Sequence, residues 1–207
     1  LTAVQLNIPN SIHGTVLSRI DRLPEPHKLT LKVASVIGRR FDFDLLRPSH
    51  PRQLNEDELE KETAEMLARD FINLAEPAPH LSYLFRHNTT HEVTYETLLY
   101  AQRKRLHRVV ADAIEALQPD LIDQLAYHTF IAEEWERALT YHLQAGERAK
   151  QLFANHQAIE HFNKALLCAE AMVGGETAVL ETDQTAVQRQ TIHLALGELL
   201  TSVGQYD

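Results

Sequence analysis

Cysteine is nearly absent from this chain. Cys168 is the single one in 207 residues, which excludes an internal disulfide and any zinc site built from several cysteines. One thiol also fits a reducing compartment. Proline stops early: all eight lie at or before Pro119, leaving the last 88 residues without any. Proline breaks helix interiors, so the second half is free to form uninterrupted helical hairpins. The seven glycines are scattered and no Gly-Lys pair occurs. The G-x-x-x-x-G-K-[ST] loop that cradles phosphates is therefore missing. No apolar run approaches the ~20 residues that span a bilayer, and residues 1–20 lack a signal-peptide pattern. A cytoplasmic chain without a membrane partner is expected.

Basic residues are scarce in the second half. Residues 1–120 hold 15 Lys/Arg against 17 Asp/Glu, whereas residues 121–207 hold 5 against 12, within a net charge of −9. A nucleic-acid or anionic-membrane surface needs a basic footprint, so none is expected there. What the chain does have is apolar content, 44%, with 24% charged residues. That suffices for a packed core and argues against wholesale disorder. The end of the prolines places a domain boundary near Gln118–Asp120, giving units 1–118 and 119–207. Both termini read as cuts from a longer polypeptide.

In the first unit the periodicity predicts a helix from Asn10 or Ser11 to about Leu23, with Ile12, Val16, Leu17 and Ile20 on one face. Pro24 and Pro26 break and restart the chain. A second helix carries Leu29, Leu31, Val33, Val36 and Ile37 and stops at Gly38. A short helix at Phe43–Arg47 follows, then a third long one, Asn55 to about Arg69, with Leu59, Met66 and Leu67 inward. Two β-prone runs, Phe71–Ala75 and Leu81–Arg86, form a hairpin around EPAPH. Helices about Thr90–Leu99 and Gln102–Leu117 complete the unit. Helices followed by a hairpin and another helix suit a winged helix. The expected fold class is mainly α: a winged-helix-like module with a small β-hairpin, then a tetratricopeptide-type α-solenoid.

The solenoid is read from repeats of about 34 residues, each a helical hairpin with small residues where its helices cross. Gly146 and Ala149 occupy first-helix positions, and Ala158, Phe162 and Ala165 follow the second-helix pattern. The opening recurs as Leu196-Gly197, Leu200, Gly204 and Tyr206. Gly146 and Gly197 are 51 residues apart, one period plus 17, and the surplus is Val173–Val187, read as a loop extension. A further helical pair, about Leu121–Ala132 and Trp135 onward, precedes these repeats. Both glycines are expected where neighbouring helices approach closely, so that Gly197→Leu overpacks. Trp135, Tyr141, Phe153, Phe162 and Tyr206 recur at helical spacing and read as solenoid core. Cys168 reads as a small buried hydrophobe.

Ile8–Leu46, Leu84–Leu117 and Leu125–Leu167, in that order, resemble the region after the nucleotide-binding core of STAND-type ATPases, especially those attached to bacterial adenylate or guanylate cyclases. In that family an AAA-like ATPase precedes a winged helix and helical repeats. The resemblance implies a non-catalytic regulatory region that docks on the ATPase domain in cis. It also implies a repeat surface for a protein or peptide partner. ATP or ADP and magnesium belong to the ATPase core outside these residues, so no cofactor or metal is expected here. A nucleotide-dependent shift of the winged helix, repositioning the solenoid as a rigid body, is the implied switch. A repeat stack that stops at Asp207 leaves an apolar face that a homodimer can cover.

His87 is the sharpest candidate. In the family a winged-helix histidine, often in a Met-His-Asp context, reaches the diphosphate of ADP, and Phe85-Arg86-His87-Asn88 stands at the equivalent strand-to-helix junction. Methionine and aspartate are both replaced here. The plain alternative is a capping or packing histidine. His87 and His91 are four apart, beside Glu92, but a zinc site needs three or four ligands. Arg103, Lys104, Arg105 and Arg108 form the one dense basic cluster, read as a solvated face or a docking surface for the ATPase core. A DNA-binding transcription regulator is the rival reading. Its recognition helix, Asn55–Arg69, carries Glu56, Asp57, Glu58, Glu60, Glu62 and Glu65, which a phosphate-lined groove repels.

Overall fold

A computed structural model describes residues 10–174 and 183–204. The protein is mainly α-helical with one small antiparallel sheet. Contacts divide it into two compact units, residues 1–113 and 114–207.

The first unit opens with α1 (Asn10–Asp21) and α2 (Glu25–Ile37). Pro24 caps α2 from an extended conformation and Pro26 sits in its first turn, where the missing N–H costs nothing. Gly38 ends α2 at φ 150°, ψ −179°, a region only glycine enters freely, and its N–H still reaches the Ala34 carbonyl at 3.1 Å. The chain then forms β1 (Arg40–Asp42), α3 (Phe43–Ser49) and α4 (Glu56–Ala68). Asn55 and Glu58 close a reciprocal capping box on α4, while Glu56 and Asp57 complement the helix dipole. The hairpin β2 (Ile72–Glu76) and β3 (Ser82–Phe85) follows, then α5 (Asn88–Glu96) and α6 (Tyr100–Leu117), whose residues from Ile114 on belong to the second unit.

The sheet order is β1-β3-β2, antiparallel throughout. β2 and β3 fall on the two β-prone runs of the sequence, whereas β1 carries no local signal and its three residues hold only because β3 lies beside them. Phe41 pairs with Tyr83, and Ile72 with Phe85. The Phe41 ring sits 5.7 Å from both Tyr83 and Phe85. Behind it Leu31, Leu46, Leu59, Met66 and Ile72 are fully buried, and α2 packs on α3, α4 and α5.

The second unit stacks α7 (Ile122–Ile131), α8 (Trp135–Gln151), α9 (Asn155–Gly174) and α10 (Asp183–Gly204), each packing on the next. Two of its turns share one geometry. Glu133 and Phe153 stand in the left-handed region, at φ 55° and 58°. Glu134 N–H then bonds Thr129 O at 3.0 Å, and Ala154 N–H bonds Ala149 O at 2.9 Å. These six-to-one bonds satisfy the last helical carbonyls. Ala138, Leu139, Ala158, Phe162, Ala165, Cys168, Ala169 and Ile192 form the core of this stack. Among the described residues no helix is long and apolar enough to cross a membrane.

Candidate functional site

His87 occupies the N-cap position of α5, at φ −127°, ψ 138°, and its side chain makes no capping hydrogen bond. It is exposed. His91 is built differently. Its Nε2 lies 2.9 Å from the Ser35 carbonyl of α2, and its ring meets the edge of Phe85 at 5.2 Å. Burial pushes its pKa down, against the Ser35 carbonyl that favours the protonated ring. The neutral imidazole donating to Ser35 thus pins α5 onto α2. One histidine faces solvent and the other faces the core, so the pair does not converge on one atom. Among the described residues no three His, Cys, Asp or Glu side chains are placed to share a metal ion.

The basic cluster of α6 points several ways, since successive residues turn by about 100° around a helix. Arg103 lies over the Tyr95 ring at 4.7 Å, and its Nη2 donates to the Glu96 carbonyl at 3.2 Å. Lys104 Nζ stands 5.8 Å from the Tyr100 ring centre. Arg108 is exposed, and Arg105 lines a cavity on another side of the helix.

In the second unit Gly146 is the tightest contact. A Cβ there would lie 2.9 Å from the Phe162 ring, so α9 sits directly on the backbone of α8. Ala149, Ala158 and Ala165 are buried around it. Cys168 is fully buried, and burial pushes its thiol up to about 12. Gly197 differs from expectation. It is exposed, and a Cβ added to it meets nothing within 4 Å. Its neighbours Ile192, Ala195, Leu196 and Leu199 turn the other side of α10 inward. No described element packs on the Gly197 side, so the expected close crossing is not made. Gly204 is likewise open, and Tyr206 lies outside the described residues. Phe153, read as solenoid core, is instead 88% exposed, because the left-handed turn throws it outward.

The most elaborate polar arrangement lies in the first unit and escaped the sequence analysis. Glu62, expected on an exposed acidic face, is 7% exposed. It falls three residues after Leu59 and four before Met66, on the apolar stripe of α4. That spacing is the signal that marks it. Its Oε1 accepts from Arg52 Nη1 at 2.8 Å, and its Oε2 accepts from the Thr30 hydroxyl. Thr30 Oγ1 is 3.0 Å from His50 Nε2. His50 Nδ1 accepts the Arg52 backbone N–H at 3.3 Å, which leaves the ring proton on Nε2, directed at Thr30. Burial lowers the pKa of His50, and Arg52 lowers it further against the pull of Glu62.

Threonine, histidine and glutamate side by side invite a comparison with a nucleophilic triad, but the wiring runs backwards. A triad needs the imidazole to accept the hydroxyl proton while the carboxylate holds the other ring nitrogen. Here the imidazole donates to the hydroxyl and the carboxylate bonds the hydroxyl, which is fully buried. What the network does is hold Arg52. That guanidinium borders a cavity of about 520 Å³ formed by α2, the Pro51–Arg52 loop and residues 98–106.

No family model matches the chain, and no curated protein or solved structure matches it. The side chains themselves therefore carry the functional reading.

Proposed function

We propose that this chain is a non-catalytic regulatory and protein-interaction region of a multidomain signalling ATPase, with a winged-helix-like first unit and tetratricopeptide-like helical hairpins in the second. The observation that carries the reading is the α8–α9 crossing. Gly146 admits the Phe162 ring against the helix backbone, with Ala149, Ala158 and Ala165 around it. Small residues where two helices cross are what stacked repeat hairpins require. The α2-β1-α3-α4-β2-β3 order supports the winged-helix assignment. The exposed acidic face of α4, with Glu56, Asp57, Glu58 and Glu60, disfavours a DNA groove as its partner.

In this reading the exposed imidazole of His87 meets the ADP of an ATPase core in the same polypeptide, and a protein or peptide partner binds the repeats in the cytoplasm. Hydrogen bonds to a charged phosphate contribute about 1.5–3 kcal/mol, so His87→Ala accelerates ADP release from the ATPase-bearing polypeptide by at most ~10²-fold. The 207-residue chain alone neither hydrolyses ATP nor forms cyclic AMP. An unchanged ADP off-rate in the His87→Ala polypeptide, or ATP turnover that follows the chain through size exclusion, counts against the reading.

A further inference from the structure

We propose that the cavity between α2 and the start of α6 binds a small organic phosphate. Its dianionic head sits on Lys32 and Arg105, and its apolar body lies against Leu29, Leu98 and Leu106. The site goes beyond the interaction role and does not depend on it.

Two facing helix stripes build the site. On α2, Glu25, Lys28, Leu29 and Lys32 recur at i, i+3, i+4 and i+7. On α6, Gln102, Arg105 and Leu106 recur at i, i+3 and i+4. Each stripe thus brings cations and leucines to the same wall. The volume, about 520 Å³, suits a small ligand rather than a single ion.

Charge selects the ligand class. Four cations line the cavity, and two already have carboxylates. Lys28 Nζ pairs with Glu25 Oε1 at 2.8 Å, and Arg52 Nη1 with Glu62 Oε1 at 2.8 Å. Among the described residues Lys32 and Arg105 have no ion-pair partner, and both face the cavity. The Glu25 carboxylate, hydrogen-bonded to Lys28, also feels Lys32, but neither Lys32 nor Arg105 is held in an ion pair, and a dianion between the two walls gains from both. Lysine supplies a point charge and arginine a fork, a combination that suits phosphate oxygens. The Thr30–His50–Glu62 network fixes Arg52 at the rim before any ligand arrives.

The test is calorimetric titration of the 207-residue chain with phenyl phosphate, inorganic phosphate and benzoate. Phenyl phosphate should bind one site, with inorganic phosphate and benzoate each weaker by about tenfold, since one lacks the apolar body and the other one charge. Lys32→Gln and Arg105→Gln should each weaken phenyl phosphate by about tenfold without lowering the melting temperature. In the unmutated chain, amide shifts during the titration should centre on Leu29, Lys32, Leu98 and Arg105. Absence of phenyl phosphate binding overturns the proposal. So do equal affinity for inorganic phosphate, undiminished binding in the Lys32→Gln/Arg105→Gln double variant, and amide shifts centred elsewhere.

Discussion

A methyl group added at Gly146 meets the Phe162 ring at 2.9 Å, whereas one added at Gly197 meets nothing within 4 Å. The two glycines read alike in the sequence and behave oppositely in the fold. Gly146→Ala must push a fully buried ring out of place, and overpacking of this kind costs roughly 1–3 kcal/mol. Gly197→Ala relieves the conformational freedom of a helical glycine and stabilises by about 0.5–1 kcal/mol. Urea denaturation of the two variants should move the midpoint in opposite directions. His87 belongs at the same scale. Its exposed side chain makes no capping bond, so His87→Ala changes the stability of this chain by under about 0.5 kcal/mol.

Helix C-termini set the second scale. α4, α7 and α8 all end through a left-handed residue that is not glycine: Asp70 at φ 60°, Glu133 at 55° and Phe153 at 58°. The left-handed region costs an L-residue about 1–2 kcal/mol, and the six-to-one bond that follows offsets it. Phe153 combines that strain with 88% exposure. Phe153→Gly is therefore expected to raise stability by about 1 kcal/mol, read as a higher urea midpoint with unchanged m-value. Most helices were legible in the sequence because their apolar spacing and proline punctuation are local signals, and α4 follows them closely, whereas α8 joins in one helix the segment from Trp135 and the Gly146 and Ala149 positions that the sequence divided between two repeats. β1 was not legible, because three residues become a strand only when β3 supplies partners from 40 residues away. Glu62 was misplaced for a related reason. Its place on the apolar stripe of α4 is a local signal, but its partners Thr30 and Arg52 are not, since no reading of the α4 segment alone connects them to it. The charge cluster of α6 was visible as a cluster, but helical rotation sends Arg103 to Tyr95 and Arg105 to the cavity.

At the scale of the molecule the buried histidines govern the response to acid. In the second unit His128 and His142 are 2% and 1% exposed, and burial lowers their pKa values to about 4 and about 3. His161 on α9 and Lys164 further oppose a charge on His142. His142 Nδ1 lies 3.0 Å from His161 Nδ1, and His161 Nε2 lies 3.3 Å from Asp123 Oδ1. If Asp123 fixes the His161 proton on Nε2, then His142 must donate from Nδ1, and its buried Nε2 is left without a partner. Both rings stay neutral in the fold while the unfolded chain takes up protons below about pH 6.5. The unfolded state thus binds more protons, and stability falls as pH falls through that value. By pH 5 each ring accounts for about 2 kcal/mol of lost stability relative to pH 8. His142→Phe keeps an aromatic ring beside Phe130, whose centroid is 5.5 Å away, and removes one proton from the balance. Urea unfolding at pH 8, 6.5, 5.5 and 5 should then show a slope of stability against pH shallower by about one proton below pH 6. The variant loses some stability at pH 8, because His161 Nδ1 no longer has its partner. Parallel pH profiles for the two proteins would mean that His142 is protonated in the fold, and that the packing around it tolerates the charge.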